Sequence, residues 1–166
     1  VVGKNKRFHK IESIESFCNI FDLILIKSIK KKKHQIKFYG KFSKGIGKRN
    51  TVSNLLDILD KENLLNGKKY SIKITKKIPQ KSGLGGGSMN AATLLKYFIN
   101  KKKFNLTNNQ LMNVCNKIGS DVALGLSQKV TLLKSDGSLT RINKKLPFHL
   151  ILIRPNFGCK TSSIFK

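Results

Sequence analysis

The chain has 166 residues, 39% of them hydrophobic, and carries a formal net charge of +26. This length allows one real hydrophobic core, in one domain or in one domain and part of a second. No apolar run approaches the roughly 20 residues of a membrane-spanning helix, so we expect no membrane partner.

The excess positive charge is mainly lysine. Of the 34 basic residues apart from histidine, only Arg7, Arg49, Arg141 and Arg154 are arginines, and the lysines are spread over the whole chain. Proteins that read nucleic acids usually rely on arginine for bidentate contacts, so we expect no nucleic-acid partner. A spread of lysines also raises the local concentration of any anionic ligand, including a nucleotide.

The cysteines and the start of the chain indicate a compartment. Cys18, Cys115 and Cys159 form no Cys-x-x-Cys pair and have no histidine near them at ligand spacing, so we predict neither a disulfide framework nor a structural metal site. Reduced thiols and the lack of a signal-peptide pattern favour a cytoplasmic protein. Because the chain begins at Val1 rather than at a methionine, we expect a fragment.

The first half of the chain predicts three strands and one helix. The strands are short apolar or alternating runs at residues 23–26, 35–39 and 70–76. Between the second and third strands, apolar residues at helical spacing predict a helix over residues 52–59. Asn50 or Thr51 is expected to be its N-cap.

The second half predicts two helices, a hairpin and a last strand. The helices have apolar faces over residues 91–99 and 111–118. A turn-forming stretch predicts that residues 129–133 and 139–142 pair as a hairpin, and residues 149–153 are predicted to be a strand. Strands and helices are intermixed without a regular strand–helix–strand repeat, which favours the α+β class.

A glycine-rich segment joins the strand at residues 70–76 to the following helix. It reads Pro79-Gln80-Lys81-Ser82-Gly83-Leu84-Gly85-Gly86-Gly87-Ser88-Met89. Glycines let the backbone approach a ligand closely, and N–H groups at a helix start favour anions, so we predict a phosphate-binding loop. A Walker loop is excluded because Gly87 is not followed by Lys-Ser/Thr, and the Rossmann pattern is excluded because it requires a glycine at position 88.

This loop also resembles a motif of a kinase superfamily. Pro79-x-x-x-Gly83-Leu84-Gly85-Gly86-Gly87-Ser88-x-Asn90-Ala91-Ala92 is similar to the second motif of the GHMP kinases. Residues 3–11, 118–122 and 154–166 resemble further segments of the family in the same order. The triple glycine resembles the motif of one branch of the family, which phosphorylates a cytidine diphosphate-linked methylerythritol in the non-mevalonate isoprenoid pathway.

The resemblance implies an organisation for the chain. Residues 1–146 would form the GHMP kinase N-terminal domain, an α+β fold related to a small ribosomal-protein domain, and residues 147–166 would begin the C-terminal GHMP domain. The family's catalytic lysine lies in a strand that would precede Val1, so we expect this chain alone to turn over poorly or not at all. A homoserine or mevalonate type of GHMP kinase, and a basic RNA-binding module, are the alternatives.

The resemblance also implies a nucleotide site and a catalytic residue. ATP would bind along residues 79–89, with Asn50 near the adenine, and Ser88 would contact a phosphate or Mg²⁺. Asp121 would orient or deprotonate the substrate hydroxyl. Without the resemblance, a structural hydrogen bond at the end of a helix would be the favoured role for this aspartate.

A base-binding clamp is implied for the substrate. Phe8 and His9 would frame the cytosine, Phe165 would stack on its other side, and Thr161 would contact a substrate phosphate. The family usually has tyrosine where Phe8 stands and a second serine where Met89 stands. The first change keeps the ring and loses a hydroxyl, and the second removes any hydroxyl contact.

Overall fold

Eight strands and three helices make up the structure, a computed structural model that describes residues 4–5, 8–9, 12–102, 104–144 and 149–153. The strands are β1 (Lys4–Asn5), β2 (Phe8–His9), β3 (Ser13–Glu15), β4 (Leu23–Ile29), β5 (Gln35–Tyr39), β6 (Lys69–Thr75), β7 (Val130–Leu133) and β8 (Leu139–Ile142). The helices are α1 (Thr51–Lys61), α2 (Gly86–Lys102) and α3 (Asn108–Ile118), followed by 3₁₀ turns at Ser120–Val122 and Leu124–Leu126. This mixture confirms the predicted α+β class.

The central sheet has the strand order β4–β6–β5. Its middle strand is antiparallel to β4 and parallel to β5, so α1 forms a single strand–helix–strand crossover between β5 and β6. Two apolar rows lie in register across the three strands: Ile26, Ile72 and Ile36, and Ile24, Ile74 and Phe38. Because side chains alternate along a strand, both rows lie on the same face of the sheet.

The helices pack against this apolar face and against one another. Phe98 of α2 is fully buried, and its ring meets the ring of Tyr70 of β6 edge-on at a centroid distance of 4.9 Å. On the other face of the sheet, Lys37, Lys73 and Leu25 are exposed within the described part of the chain. The core therefore lies entirely on the helical side of the sheet, and the other side is rich in lysine.

Helix α1 begins where the sequence predicts. The Asn50 side-chain oxygen accepts hydrogen bonds from the backbone N–H groups of Val52 and Ser53, and the Ser53 hydroxyl in turn accepts from the Asn50 N–H. This reciprocal pair is a capping box, which satisfies N–H groups that the helix itself leaves without partners. Asn50, rather than Thr51, is the N-cap.

The second sheet has the order β3–β7–β8 and is antiparallel throughout. Its β7–β8 hairpin confirms the predicted pairing. Residues 149–153, predicted to be a strand, have no regular secondary structure, and Ile151 and Ile153 are almost fully exposed. That prediction is wrong because an apolar run becomes a strand only beside a pairing strand, and none in the described part of the chain pairs with it.

Two further predictions concern membrane-spanning helices and the boundary between domains. Across the described ranges, no helix combines the length and the apolar character that crossing a bilayer requires. The division into domains at residue 146 stays a prediction, since residues 145–148 and 154–166 lie outside the described residues.

The two cysteines that the structure describes are expected to differ sharply in reactivity. Both are free thiols, Cys18 exposed and Cys115 buried, and burial raises the pKa of Cys115 to about 11. The thiolate is the reactive form of cysteine. In a Cys159→Ser background at pH 8, we therefore expect a disulfide reagent to modify one thiol per folded chain, and the second only on unfolding.

Matched variants assign the two reaction phases. Cys18→Ser in the same background should lose the fast phase, and Cys115→Ser should retain it. A fast second equivalent from the folded protein would contradict the burial of Cys115.

Candidate functional site

The glycine loop, residues 79–88, lines a cleft of about 410 Å³ along its whole length. The other lining residues are Phe38, Ile46, Asn50, Thr51, Val52, Lys76 and Asn90. Within the loop, Gly83 and Gly85 have positive φ angles of 73° and 60°. Side chains disfavour this left-handed region and glycine does not, so the two glycines ease a backbone path that Lys81, with a φ of 54°, also enters. The sequence-predicted loop and Asn50 thus meet in one cleft.

The N-terminus of α2 opens into this cleft. The Met89 N–H donates to the Gly85 carbonyl at 2.9 Å, in the first hydrogen bond of the helix. The N–H groups of Gly86, Gly87 and Ser88 precede that bond and have no partner within the helix. Together with the positive end of the helix dipole, they form a site suited to an anion such as a phosphate.

The start of α2 is packed too tightly for side chains. A Cβ atom placed on Gly86 would lie 2.9 Å from Cγ2 of Ile78 and 3.3 Å from Nζ of Lys76. At Gly87 it would lie 3.3 Å from Oγ1 of Thr51, whose hydroxyl donates to the Gly87 carbonyl at 2.8 Å. These glycines let the helix start lie directly against the end of β6 and the start of α1.

Two polar side chains of the cleft are used to build its walls. Nε2 of Gln80 donates to the carbonyl oxygens of Phe42 and Lys44 at 3.0 and 2.8 Å, which fixes residues 42–44 beside the glycine loop. The Asn50 oxygen caps α1, and its amide nitrogen donates to the Gly47 carbonyl at 3.0 Å. The contact of Asn50 with an adenine stays a prediction, and the structure adds a capping role.

A buried ion pair lies behind the loop, and the sequence analysis missed it. Lys76 lines the cleft, and its ammonium group pairs with the carboxylate of Asp22, with the two side chains 5% and 0% exposed. Burial by itself would raise the pKa of Asp22, but hydrogen bonds from Lys76, Ile78, Asn90 and Lys77 outweigh it and lower that pKa. A signal existed, because Asp22 is one of only eight acidic residues and directly precedes an apolar strand.

Asp121 lies in the 3₁₀ turn that follows α3. It is exposed, and its carboxylate accepts a hydrogen bond from the Ser120 hydroxyl at 2.9 Å. The turn is close to the glycine loop, since a Cβ on Gly119 would lie 4.0 Å from the Ser88 hydroxyl oxygen. Asp121 is not among the residues that line the cleft, so the predicted catalytic residue belongs to a neighbouring turn and not to the cleft wall.

Gly125 and Arg141 hold the segment that carries Asp121. A Cβ on Gly125 would lie 2.6 Å from Cβ of Ala92, so this segment and α2 are in direct contact. The Arg141 guanidinium donates to the carbonyl oxygens of Leu124 and Ala123 at 3.0 and 2.7 Å. These supports were not predicted, since the sequence around Arg141 indicates only a hairpin strand.

The remaining predicted residues fall in different places. The Met89 side chain packs toward Gly125, where an added Cβ would lie 3.0 Å from Sδ, and it does not line the cleft. Phe8 and His9 form β2, but the structure does not describe their side chains. Thr161 and Phe165 lie outside the described residues. The base-binding clamp therefore stays a prediction.

The described side chains contain no ready-made metal site. No three of their His, Cys, Asp or Glu side chains come together as ligands. Ser88 lines the cleft at the start of α2 and offers a single hydroxyl oxygen there. A hard cation at this position would thus take most of its ligands from a bound anion or from water.

The chain is similar to known proteins in sequence. Residues 50–129 match the GHMP kinases N-terminal domain. The chain is 48% identical over 165 residues to the 4-diphosphocytidyl-2-C-methyl-D-erythritol kinase of Pelagibacter ubique, a match that covers 99% of this chain and 59% of that protein. It is 34% identical to the protein of the same name from Buchnera aphidicola, with 95% and 56% covered. The chain thus spans less than two thirds of the length of these relatives.

Two solved structures share the fold. A crystal structure of 4-(cytidine 5'-diphospho)-2C-methyl-D-erythritol kinase superposes with a TM-score of 0.56 at 22% identity, covering 73% of this chain and 41% of that one. Homoserine kinase from Cytophaga hutchinsonii superposes with a TM-score of 0.53 at 24% identity, covering 76% and 44%. At these identities the two structures establish the fold alone.

Gly83 and Gly137 form a matched pair for testing the cleft. Both have positive φ angles, 73° and 83°, and an added Cβ would meet nothing within 4 Å at either position. Alanine at either site should therefore cost a similar backbone strain of about 1–2 kcal/mol in the free energy of unfolding. Only Gly83→Ala should also weaken the binding of Mg-ATP, measured by titration, because only Gly83 lies in the cleft.

The comparison between the two variants is decisive. Gly137→Ala, in the β7–β8 turn, reports the effect of strain without any change in the cleft. Equal Mg-ATP affinities for the two variants would show that the loop conformation at Gly83 does not serve nucleotide binding.

Proposed function

We propose, because the chain carries the N-terminal domain of the GHMP kinase family, that it is the nucleotide-binding part of a small-molecule kinase. The enzyme would transfer the γ-phosphoryl group of ATP to the 2-hydroxyl of 4-diphosphocytidyl-2-C-methyl-D-erythritol, giving the 2-phosphate and ADP. This reaction belongs to non-mevalonate isoprenoid biosynthesis. The names of the Pelagibacter and Buchnera relatives support the substrate.

The observation that carries the kinase proposal is the cleft at the start of α2. Ten successive residues, 79–88, line it, and the helix brings three N–H groups without helical partners to its wall. Such an array of N–H groups binds phosphate oxygens through the backbone and needs no particular side chain. Lys76 lines the same wall, but its ammonium group is paired with the buried Asp22 carboxylate, so the attraction for an anion comes from the N–H groups. These features fit the triphosphate of ATP.

Ser88 is the residue proposed to serve the metal. Its hydroxyl oxygen is a hard ligand of the kind that Mg²⁺ accepts, and phosphate oxygens would complete the coordination. When bound with ATP, Mg²⁺ would neutralise charge on the transferring group. The chain's own part is to hold the phosphates in place, chiefly through the N–H groups of the loop.

Asp121 is proposed to act on the nucleophile. Its exposed carboxylate lies in the turn that follows Gly119, which is close to Ser88, and would accept a hydrogen bond from a substrate hydroxyl. Gly125 and Arg141 would keep its segment against α2, so that the hydroxyl and the phosphates approach from fixed directions. Catalysis would then come from positioning and charge stabilisation rather than from covalent chemistry.

The cytidine part of the substrate is proposed to bind through aromatic side chains. Phe8 and His9 would hold the base against Phe165, and Thr161 would contact a substrate phosphate. Support comes from the matched family segments at both ends of the chain.

We also propose a cytoplasmic enzyme with residues 1–146 as its N-terminal domain and residues 147–166 as the beginning of its C-terminal domain. The free thiols Cys18 and Cys115 agree with a reducing compartment.

Asp121→Asn tests the catalytic role in a full-length protein that contains this chain. A positioned acid or base contributes typically 10²–10⁴-fold, so kcat should fall by about that factor. The affinity for Mg-ATP should stay nearly unchanged, because the loop is intact. The control is Asp136→Asn, which removes an exposed carboxylate of the β7–β8 turn and should leave kcat as it is. A kcat loss no larger than in this control would rule out the role.

A thermal shift comparison tests the substrate class. Cytidine diphosphate should raise the Tm of the full-length protein more than uridine diphosphate, which has the same charge but a different base edge. Homoserine should have no effect. A shift with homoserine and none with cytidine nucleotides would assign the protein to the homoserine type. Tight RNA binding with a steep salt dependence would favour the RNA-binding alternative.

A further inference from the structure

Asp22 gathers an unusual number of donors on one buried carboxylate. Its Oδ1 accepts the backbone N–H groups of Lys77 and Ile78 at 2.7 and 2.9 Å. Its Oδ2 accepts from the ammonium group of Lys76 and from the amide of Asn90, the latter at 2.8 Å. The side chain is 0% exposed, so protein groups take the place of water around both oxygens.

The donors lie at the two ends of the glycine loop. Lys77 and Ile78 come directly before Pro79, and Asn90 is the fifth residue of α2, two positions beyond the loop. One side chain, contributed by the residue that precedes β4, therefore binds the entry and the exit of the loop at once. Asp22 is separated from these partners by 55 to 68 positions in the chain.

The same arrangement fixes how the loop closes. The two N–H bonds hold Ile78 in place, and Ile78 is the side chain against which Gly86 packs without room for a Cβ. A movement of the backbone at Ile78 would therefore be transmitted to the start of α2, where the N–H groups without helical partners lie. Hydrogen bonds to a charged acceptor are stronger than neutral ones, which suits an anchor of this kind.

We propose that Asp22 is a positioning residue for the phosphate-binding loop, holding its two ends at the separation at which the backbone N–H groups converge on an anion. For the identity of the anion, the inference rests on the proposed function. For the order of the loop, it rests on the contacts of Asp22 alone. Asp22 does not line the cleft, so it would act through the loop and not on the ligand.

Asp60 offers a matched control for Asp22. Its carboxylate also pairs with a lysine, Lys69, the first residue of β6, and has a second contact with His34 at 3.2 Å. It lies at the opposite end of that strand from the glycine loop. Asp60→Asn therefore removes a lysine-paired carboxylate, 28% exposed, without touching the loop.

The experiment compares Asp22→Asn with Asp60→Asn by two measurements. Hydrogen exchange without nucleotide should accelerate at Lys77 and Ile78 in Asp22→Asn, because the new amide turns N–H donors toward Lys76 and Asn90 and is driven off its place. The Kd for Mg-ATP should rise at least about tenfold, or about 1.4 kcal/mol. The Kd for adenosine, which lacks phosphates, should change less than about twofold.

A control variant and a conservative variant ensure that the experiment can contradict the proposal. Asp60→Asn should lower the Tm while leaving exchange at residues 77–78 and the ATP Kd at the wild-type values. Should Asp22→Asn not fold, Asp22→Glu retains the charge beside Lys76 but displaces the carboxylate, and should still accelerate exchange at residues 77–78. Unchanged loop exchange in the folded Asp22 variant, or equal losses for ATP and adenosine, would overturn the proposal.

The two proposals fail in different ways. A wild-type protein that does not bind Mg-ATP would overturn the kinase function, and exchange at residues 77–78 would still decide whether Asp22 orders the loop. A wild-type protein that binds Mg-ATP, with no effect of Asp22→Asn, would leave the kinase function standing and overturn the role of Asp22.

Discussion

The close packing around the first turns of α2 is the constraint on which the rest of the site depends. Ile78 approaches Gly86, Thr51 approaches Gly87, and Gly125 lies against the same helix farther along. At each contact a methyl group would meet atoms at 3.3 Å or less. Three parts of the chain that are far apart in sequence thus take their positions from one helix, because protein interiors do not absorb even small added volumes without strain.

The polar groups of the cleft are of two kinds: side chains that shape the cleft, and backbone N–H groups that are available to a ligand. The side chains of Gln80, Asn50 and Thr51 are bound to backbone carbonyl groups, so they shape the cleft. The backbone N–H groups at the start of α2 lack helical partners and are left to meet a ligand. The proposed recognition of phosphate would in consequence be a property of backbone geometry, and the glycines would matter for the shape they permit.

The features that the sequence predicts well are those governed by neighbouring residues. The Asn50 cap, the β7–β8 hairpin and the glycine loop each depend on side chains and turns within a few positions. Asp22 and Arg141 escaped prediction because their partners come from distant segments, such as Asn90, 68 positions from Asp22. The wrong prediction at residues 149–153 has the same cause. An apolar run indicates a tendency to be buried, but it does not indicate which strand will pair with it.

The lysine-rich surface has a consequence for how ligands and folding are coupled. Of eight acidic residues, only Asp22, Asp60 and Glu62 form ion pairs within the described ranges, while the net charge is +26. Such an imbalance makes the compact state repel itself. A triphosphate bound as proposed would act as a counterion as well as a ligand, and would relieve part of this repulsion. Occupancy of the cleft and cohesion of the fold would thereby be linked through long-range electrostatics, a linkage that dissolved salt progressively screens.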